Sequence, residues 1–213
     1  MARPEKRGDL IDAAIRLFNR NGYRATGVDR LMEETGIAKT TLYRYFASKE
    51  DLIIAALAKI DEEARDEMRA YVEAASDDPR ERLLATFGQL ELWLEQDDFN
   101  GCPFMAAASE FGDEADPVFQ QVRLHKRLHL AYLEELVRAA GIPHPKRVAR
   151  QIAMLHEGAV AFAQVMGHAH VVDDARNAAA LVIGAAHAPS VERQTDGSSD
   201  ASAGTRRKSR AAR

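Results

Sequence analysis

The sequence predicts an all-α protein, with a three-helix unit at the N-terminus and a larger helical body after it. Three observations carry that expectation. Apolar residues recur at three- and four-residue spacing through successive segments, the pattern of one buried stripe per helix. Cap chemistry punctuates those segments, with Ser48, Asp78 and Asp116 at helix starts and Gly22, Gly36 and Gly141 at helix stops. Charge is divided along the chain: residues 1–60 sum to +3, residues 61–187 to −10 and residues 188–213 to +3, so the overall −4 hides a basic head and a basic tail around an acidic middle. The 213 residues are therefore divided into 1–54, 55–187 and 188–213.

Arg3, Lys6 and Arg7 precede the first helix, whose stripe is Leu10, Ala13, Ala14, Leu17 and Phe18. This basic arm is either a minor-groove or phosphate contact or a frayed end. Gly22 ends the helix and Tyr23 is placed to pack into the three-helix core. Thr26 is the expected N-cap of the second helix, with Asp29 at N3 and Val28, Leu31 and Met32 on its apolar face. Thr35-Gly36 closes it, because the turn needs a residue without a Cβ. On the third helix Leu42 and Phe46 share the inner face, while Lys39, Thr40, Thr41, Tyr43, Arg44 and Tyr45 occupy the rest.

That outer face holds hydroxyls, phenols and cations and no carboxylate, the groups that donate to phosphate oxygens and base edges. Two short helices joined by a glycine turn, the second basic and aromatic, make a helix-turn-helix. Residues 1–54 are thus read as a DNA-binding domain for double-stranded DNA.

The residues Ala13-Ala14, Leu17-Phe18, Asn21-Gly22-Tyr23, Thr26, Gly36-Ile37, Thr41-Leu42-Tyr43, Tyr45-Phe46 and Ser48-Lys49-Glu50-Asp51-Leu52 resemble the tetracycline-repressor (TetR) family of bacterial transcription regulators. The resemblance covers roughly the first 55 to 60 residues, a fragment large enough for its own small core. Tyr45 departs from it, standing where the family often has His. Carried over position by position, the resemblance implies that Lys39, Thr40 and Thr41, in the first turn of the recognition helix, face base edges. Thr26, Tyr43, Tyr45 and Lys49 are assigned to phosphates, with Arg44 as a further candidate.

Ser48 caps the fourth helix with Asp51 at N3, and Leu52, Ala56, Ile60, Ala64, Met68 and Tyr71 or Val72 continue the stripe. A helix of about 25 residues reaches about 37 Å at 1.5 Å per residue, long enough to leave the head and enter the body. In the resembled family this helix connects ligand binding to the reading heads. Asp78 at N-cap, Pro79 at N1 and Glu81 at N3 start the fifth helix, which turns Leu83, Leu84, Phe87, Leu90 and Leu94 inward. Pro103 starts a short helix through Ala108, and Asp116-Pro117 opens another that Gly141 closes. The segments from Lys146 to Gly167 and from Asp173 to His187 are apolar or small nearly all round and demand partners on more than one face. They are expected to pair with their two-fold copies in a homodimer, as the resemblance implies. The Ser-, Gly- and Arg-rich tail after Pro189 lacks apolar surface and is expected to be disordered.

The body is read as a ligand-binding and dimerisation domain for an unidentified small-molecule effector. Its candidate contacts are Trp93, Cys102, Phe104, Met105, Glu110, His129, Met154 and Phe162, with His125, His156, Glu157 and Met166 as further polar or aromatic groups on apolar helices. Each has a plain alternative as core. Cys102 is the only cysteine, which excludes an intrachain disulfide. It is either an electrophile- or oxidant-sensing thiol near a helix start or a small buried side chain. His125, His129 and His156 lack the tight helical His and carboxylate pairing of a metal site, so neither metal nor cofactor is expected.

No apolar run is long enough to span a membrane, and the start lacks the apolar stretch of a signal peptide, so a cytoplasmic protein is expected. The function expected is a dimeric repressor released from a palindromic operator by a small molecule. The alternatives are a non-specific architectural DNA binder and a Cys102-dependent enzyme, for which no supporting spacing exists. Effector, operator and the sign of regulation are not readable from the residues.

Overall fold

Capped starts and glycine stops set the helix boundaries in the computed structural model, which describes residues 4–186. The expectations for Arg3 and for residues 188–213 lie outside the described residues. In chain order the helices are α1 (Pro4–Asn21), α2 (Val28–Thr35), α3 (Lys39–Tyr45), α4 (Lys49–Ala75), α5 (Pro79–Leu94), α6 (Pro103–Glu110), α7 (Pro117–Ala139), α8 (Pro145–Met166) and α9 (Val171–Ala185). No strand occurs among the described residues.

Side-chain caps are found at three of the expected starts. Ser48 Oγ accepts from the Asp51 N–H at 3.0 Å while the Asp51 carboxylate accepts from the Ser48 N–H, a complete capping box on α4. Asp78 accepts from Arg80 and Glu81 ahead of α5, and Asp116 from Val118 ahead of α7, with Pro79 and Pro117 filling the first positions. Gly36 ends α2 at φ 65°, a left-handed conformation that glycine adopts without strain, and its N–H donates to Met32 O.

Thr26 corrects the expectation. The N-cap of α2 is Gly27, which has no side chain to cap with, and the Thr26 hydroxyl turns inward to donate to Gly22 O at 2.7 Å. Thr26 is fully buried, so its hydroxyl fastens the turn after α1.

Two apolar cores form. In the first, Leu10, Leu17, Phe18 and Tyr23 of the α1 region meet Leu31, Leu42, Phe46, Leu52 and Leu57, and Phe104, Ala107, Phe111, Val118 and Val122 of α6 and α7 join them. The head is therefore seated on the body through α6 and the start of α7. The second core gathers Met68 and Val72 of α4 with Leu83, Phe87 and Leu90 of α5, Leu133 and Val137 of α7, Ile152 of α8 and Ala179 of α9. Fully burying side chains of this size contributes about 1.5–3 kcal/mol each, before chain entropy is set against it. Helix α4 runs through both cores and is 27 residues long.

Helices α8 and α9 bury only one face. Val148, Ile152, Val160, Val172 and Ile183 point into the second core. On the other side Met154, Phe162, Val165, Met166 and Leu181 are 57–79% exposed, an unpartnered apolar surface.

Candidate functional site

The short α3 is anchored by Leu42, which is fully buried, and by Phe46 at its end. That anchoring turns Lys39, Thr40, Tyr43 and Arg44 out to solvent and leaves Thr41 and Tyr45 half-buried. The Lys39 ammonium lies 3.3 Å from Asp29 of α2. Both partners are exposed, so the pair is worth at most about 1 kcal/mol and leaves Lys39 free to exchange partners. Lys49 Nζ donates to Arg24 O at 3.2 Å, which ties the start of α4 to the turn after α1. The Arg7 guanidinium sits over the Phe46 ring, 5.1 Å from its centre. The result is a cationic and hydroxyl-rich face on a rigid three-helix support.

The second site is a cavity of about 290 Å³ enclosed by α4, α5, α6, α7 and α8. Met68, Leu90, Trp93, Phe104 and Val160 supply apolar wall, and His125, Lys126, His129, His156 and Glu157 supply the polar side. Asp61, buried on α4, holds this side to α7: His125 Nδ1 meets its carboxylate at 2.7 Å and Arg65 Nε donates to it at 3.1 Å. The His125 ring lies flat on Phe104, with centres 3.5 Å apart. His129 Nε2 and His156 Nδ1 are 3.3 Å apart, and His156 Nε2 reaches Thr86 Oγ1 at 3.1 Å. Lys126 Nζ donates to Glu157 at 2.5 Å and approaches Cys102 Sγ at 3.6 Å.

Burial governs the proton affinities of these imidazoles. His129 is pushed down to about 4, first by burial and then by the nearby His125 and Lys126. Burial likewise lowers His156, with His129 adding to it. His125 is lowered by burial against the opposing pull of Asp61. All three rings are therefore neutral near pH 7.

Of the expected ligand contacts, Trp93, Cys102, Phe104 and His129 do line the cavity, together with His125, His156 and Glu157. Four expected contacts do not. Met105 is 52% exposed on the outside of α6. Met154 and Phe162 belong to the outer apolar face of α8, because the inward register of that helix is taken by Ile152, His156, Ala159 and Ala163. Glu110 serves the junction between head and body, where its carboxylate accepts from the backbone N–H groups of Tyr23 at 2.9 Å and Arg24 at 2.6 Å. Thr26, buried and internally bonded, is likewise absent from the outer face of the head. Asp61, Thr86 and Lys126 were missed. Asp61 left a trace: it lies four residues after Leu57 and seven before Met68, a carboxylate at a core position.

Comparisons with known proteins bear on both sites. The sequence profile described as "Bacterial regulatory proteins, tetR family" matches residues 10–56, and that described as "Tetracyclin repressor-like, C-terminal domain" matches residues 79–179. The HTH-type transcriptional regulator LmrA of Bacillus subtilis is 31% identical over 136 residues, covering 63% of this chain and 69% of that protein. The HTH-type transcriptional activator FasR of Mycolicibacterium smegmatis is 32% identical over 97 residues, 46% of this chain and 44% of its own. Among solved structures, SCO4454 of Streptomyces coelicolor, a TetR-family transcriptional regulator, superposes with a TM-score of 0.80 at 28% identity, covering 85% of this chain and 96% of that one. Each of these matched proteins is described as a regulator or activator of transcription. With a helix-turn-helix head, a helical body in the same order and matches along both, the chain belongs to the TetR family of DNA-binding transcription regulators.

Proposed function

We propose that the protein is a dimeric repressor that leaves a palindromic operator when a small molecule enters the cavity of the body. The observation that carries this reading is that the cavity shares its walls with the elements that hold the head. Ile60, Ala64 and Met68 of α4 line it, and α4 starts inside the head core. Phe104 and Pro103 of α6 line it too, and the Tyr23 phenol donates to Pro103 O at 3.0 Å while Glu110 grips the turn after α1. A ligand that favours one packing of α4 and α6 thereby favours one placement of the head.

In this reading residues 1–54 read DNA and residues 55–187 sense and dimerise. Lys39, Thr40 and Thr41 meet base edges, and Tyr43, Arg44, Tyr45 and Lys49 meet phosphates. The exposed apolar face of α8 and α9 packs against its two-fold copy, which sets the recognition helices one helical turn of DNA apart, about 34 Å. This face is assigned to a second copy because it is apolar and its own chain leaves it bare.

The test is selection of genomic fragments by the purified protein at physiological salt, followed by a small-molecule screen for release and a reporter assay of the selected promoter. A palindromic site, release by a compound and a rise in reporter on deletion of the protein are expected. A fall in reporter on deletion would mark an activator, as FasR is named. Failure of any compound to alter operator binding would end the sensing reading.

A further inference from the structure

The hydrogen atoms in the polar wall of the cavity can be placed by elimination. Thr86 Oγ1 and Leu83 O are 2.7 Å apart, and two oxygens approach that closely only with a hydrogen between them, so the single hydroxyl hydrogen of Thr86 is spent there. Thr86 Oγ1 therefore accepts from His156, which carries its hydrogen on Nε2. A neutral imidazole has one N–H, so His156 Nδ1 is a lone pair and accepts from His129 Nε2. His129 is neutral as well, held so by burial, and its Nδ1 is left as an acceptor. None of the described residues bonds that nitrogen, and no buried side-chain nitrogen or oxygen of the described residues lacks a partner, so Nδ1 is not sealed off, and His129 lines the cavity. His125, whose Nδ1 meets Asp61, leaves its Nε2 as a second acceptor on the same wall.

The charges of the wall point the same way. Arg65 is paired with Asp61, Arg69 with Glu135 at 3.6 Å, Lys126 with Glu157 and Glu63 with Lys59 at 3.6 Å, and Glu67 completes the charged lining. An anion entering here would have to break an existing pair. The volume is near the lower end of the roughly 300–1,000 Å³ typical of small-molecule sites.

We infer that the cavity selects a compact, mostly apolar molecule that carries no negative charge and bears a hydroxyl or phenol, which donates its hydrogen to His129 Nδ1 while its rings lie against Trp93, Phe104 and Leu90. The inference rests on the reading of this cavity as the effector site and specifies its chemistry. A donor satisfies the acceptor that His129 leaves open, whereas an ether or a carboxylate would set a lone pair against a lone pair.

Isothermal titration of the full chain with naphthol, methoxynaphthalene and naphthoate tests it. Naphthol should bind at least about tenfold more tightly than the other two, and His129→Leu should bring naphthol to within about twofold of the ether. Equal binding of naphthol and the ether, tighter binding of naphthoate, or no binding of any probe overturns the inference. Should His129→Leu not fold, nitrogen-15 spectra of histidine-labelled wild-type protein decide. Naphthol must move the bare His129 Nδ1 resonance while Nε2 stays protonated, and an unmoved Nδ1 overturns the proposal. Operator release is no part of this readout. Loss of the donor preference leaves the regulator reading intact, and loss of operator release by every compound leaves the binding preference intact.

Discussion

Glu110 and Tyr23 lie 87 positions apart in sequence, yet the Glu110 carboxylate accepts the backbone N–H of Tyr23 at 2.9 Å. The same carboxylate takes the N–H of Arg24, so two amide donors of the turn after α1 are satisfied by α6. Gly22, just before them, has φ +82°, and a Cβ there would stand 3.0 Å from Glu110 Oε1. The turn and the carboxylate fit only as a pair.

Removing that carboxylate loosens the joint. Glu110→Ala leaves the buried Tyr23 amide without an acceptor and should cost about 1–3 kcal/mol in urea denaturation. Gly22→Ala should cost roughly 1–2 kcal/mol through the left-handed backbone, and more while Glu110 is present. If Gly22→Ala costs the same with and without Glu110, the two do not meet as described.

Stability should fall on the acid side because of the buried imidazoles. The folded protein holds His129 near 4 against 6.5 for the free side chain, so between those values the unfolded chain binds more protons. The contribution is fully present above pH 6.5 and is lost as pH falls toward 4, by on the order of 2–3 kcal/mol for His129. Thermal melts of wild type and His129→Leu should converge as pH drops through this window. Parallel pH profiles would contradict the assignment.

The two lysines of the head should separate by role. Lys39→Ala is expected to lose about 1–3 kcal/mol of discrimination between the selected operator and mismatched duplexes. Lys49→Ala should weaken all duplexes alike and reduce the salt slope by about one ion. Titrations of both variants on matched and mismatched DNA at two salt concentrations check this, and identical behaviour would show that the division is wrong.

The outer face of α8 and α9 should respond to charge. Phe162→Arg with Leu181→Arg places two cations on a surface now 57% and 76% exposed at those positions, and should leave the monomer fold intact because neither side chain enters the core. Sedimentation at micromolar concentration should change from dimer to monomer, with operator affinity falling by more than about tenfold. A dimer that persists unchanged would place the contact elsewhere.

How far the sequence could be read depended on how local each signal was. The Ser48 and Asp51 capping box spans four residues, so its spacing alone predicts it, and the stripes of α1, α4 and α5 follow from helical periodicity. Thr26 was misread because a threonine one residue too early can serve either the coming helix or the turn behind it, and the backbone at Gly22 favoured the turn. The family motif made α3 legible. The cavity was legible only in part, since its polar wall depends on meetings across 64 and 70 positions, Asp61 with His125 and Thr86 with His156. Met154 and Phe162 show the remaining limit: a helix apolar nearly all round does not reveal from its letters which face its own chain will cover.

Joining two copies through the bare face of α8 and α9, as proposed, would also set how the gene product responds to its own dosage. When two copies must meet before either grips DNA well, occupancy of a promoter at low abundance rises with the square of the amount synthesised, by simple mass action. A modest change in expression or turnover would then switch the target more sharply than a one-copy binder could.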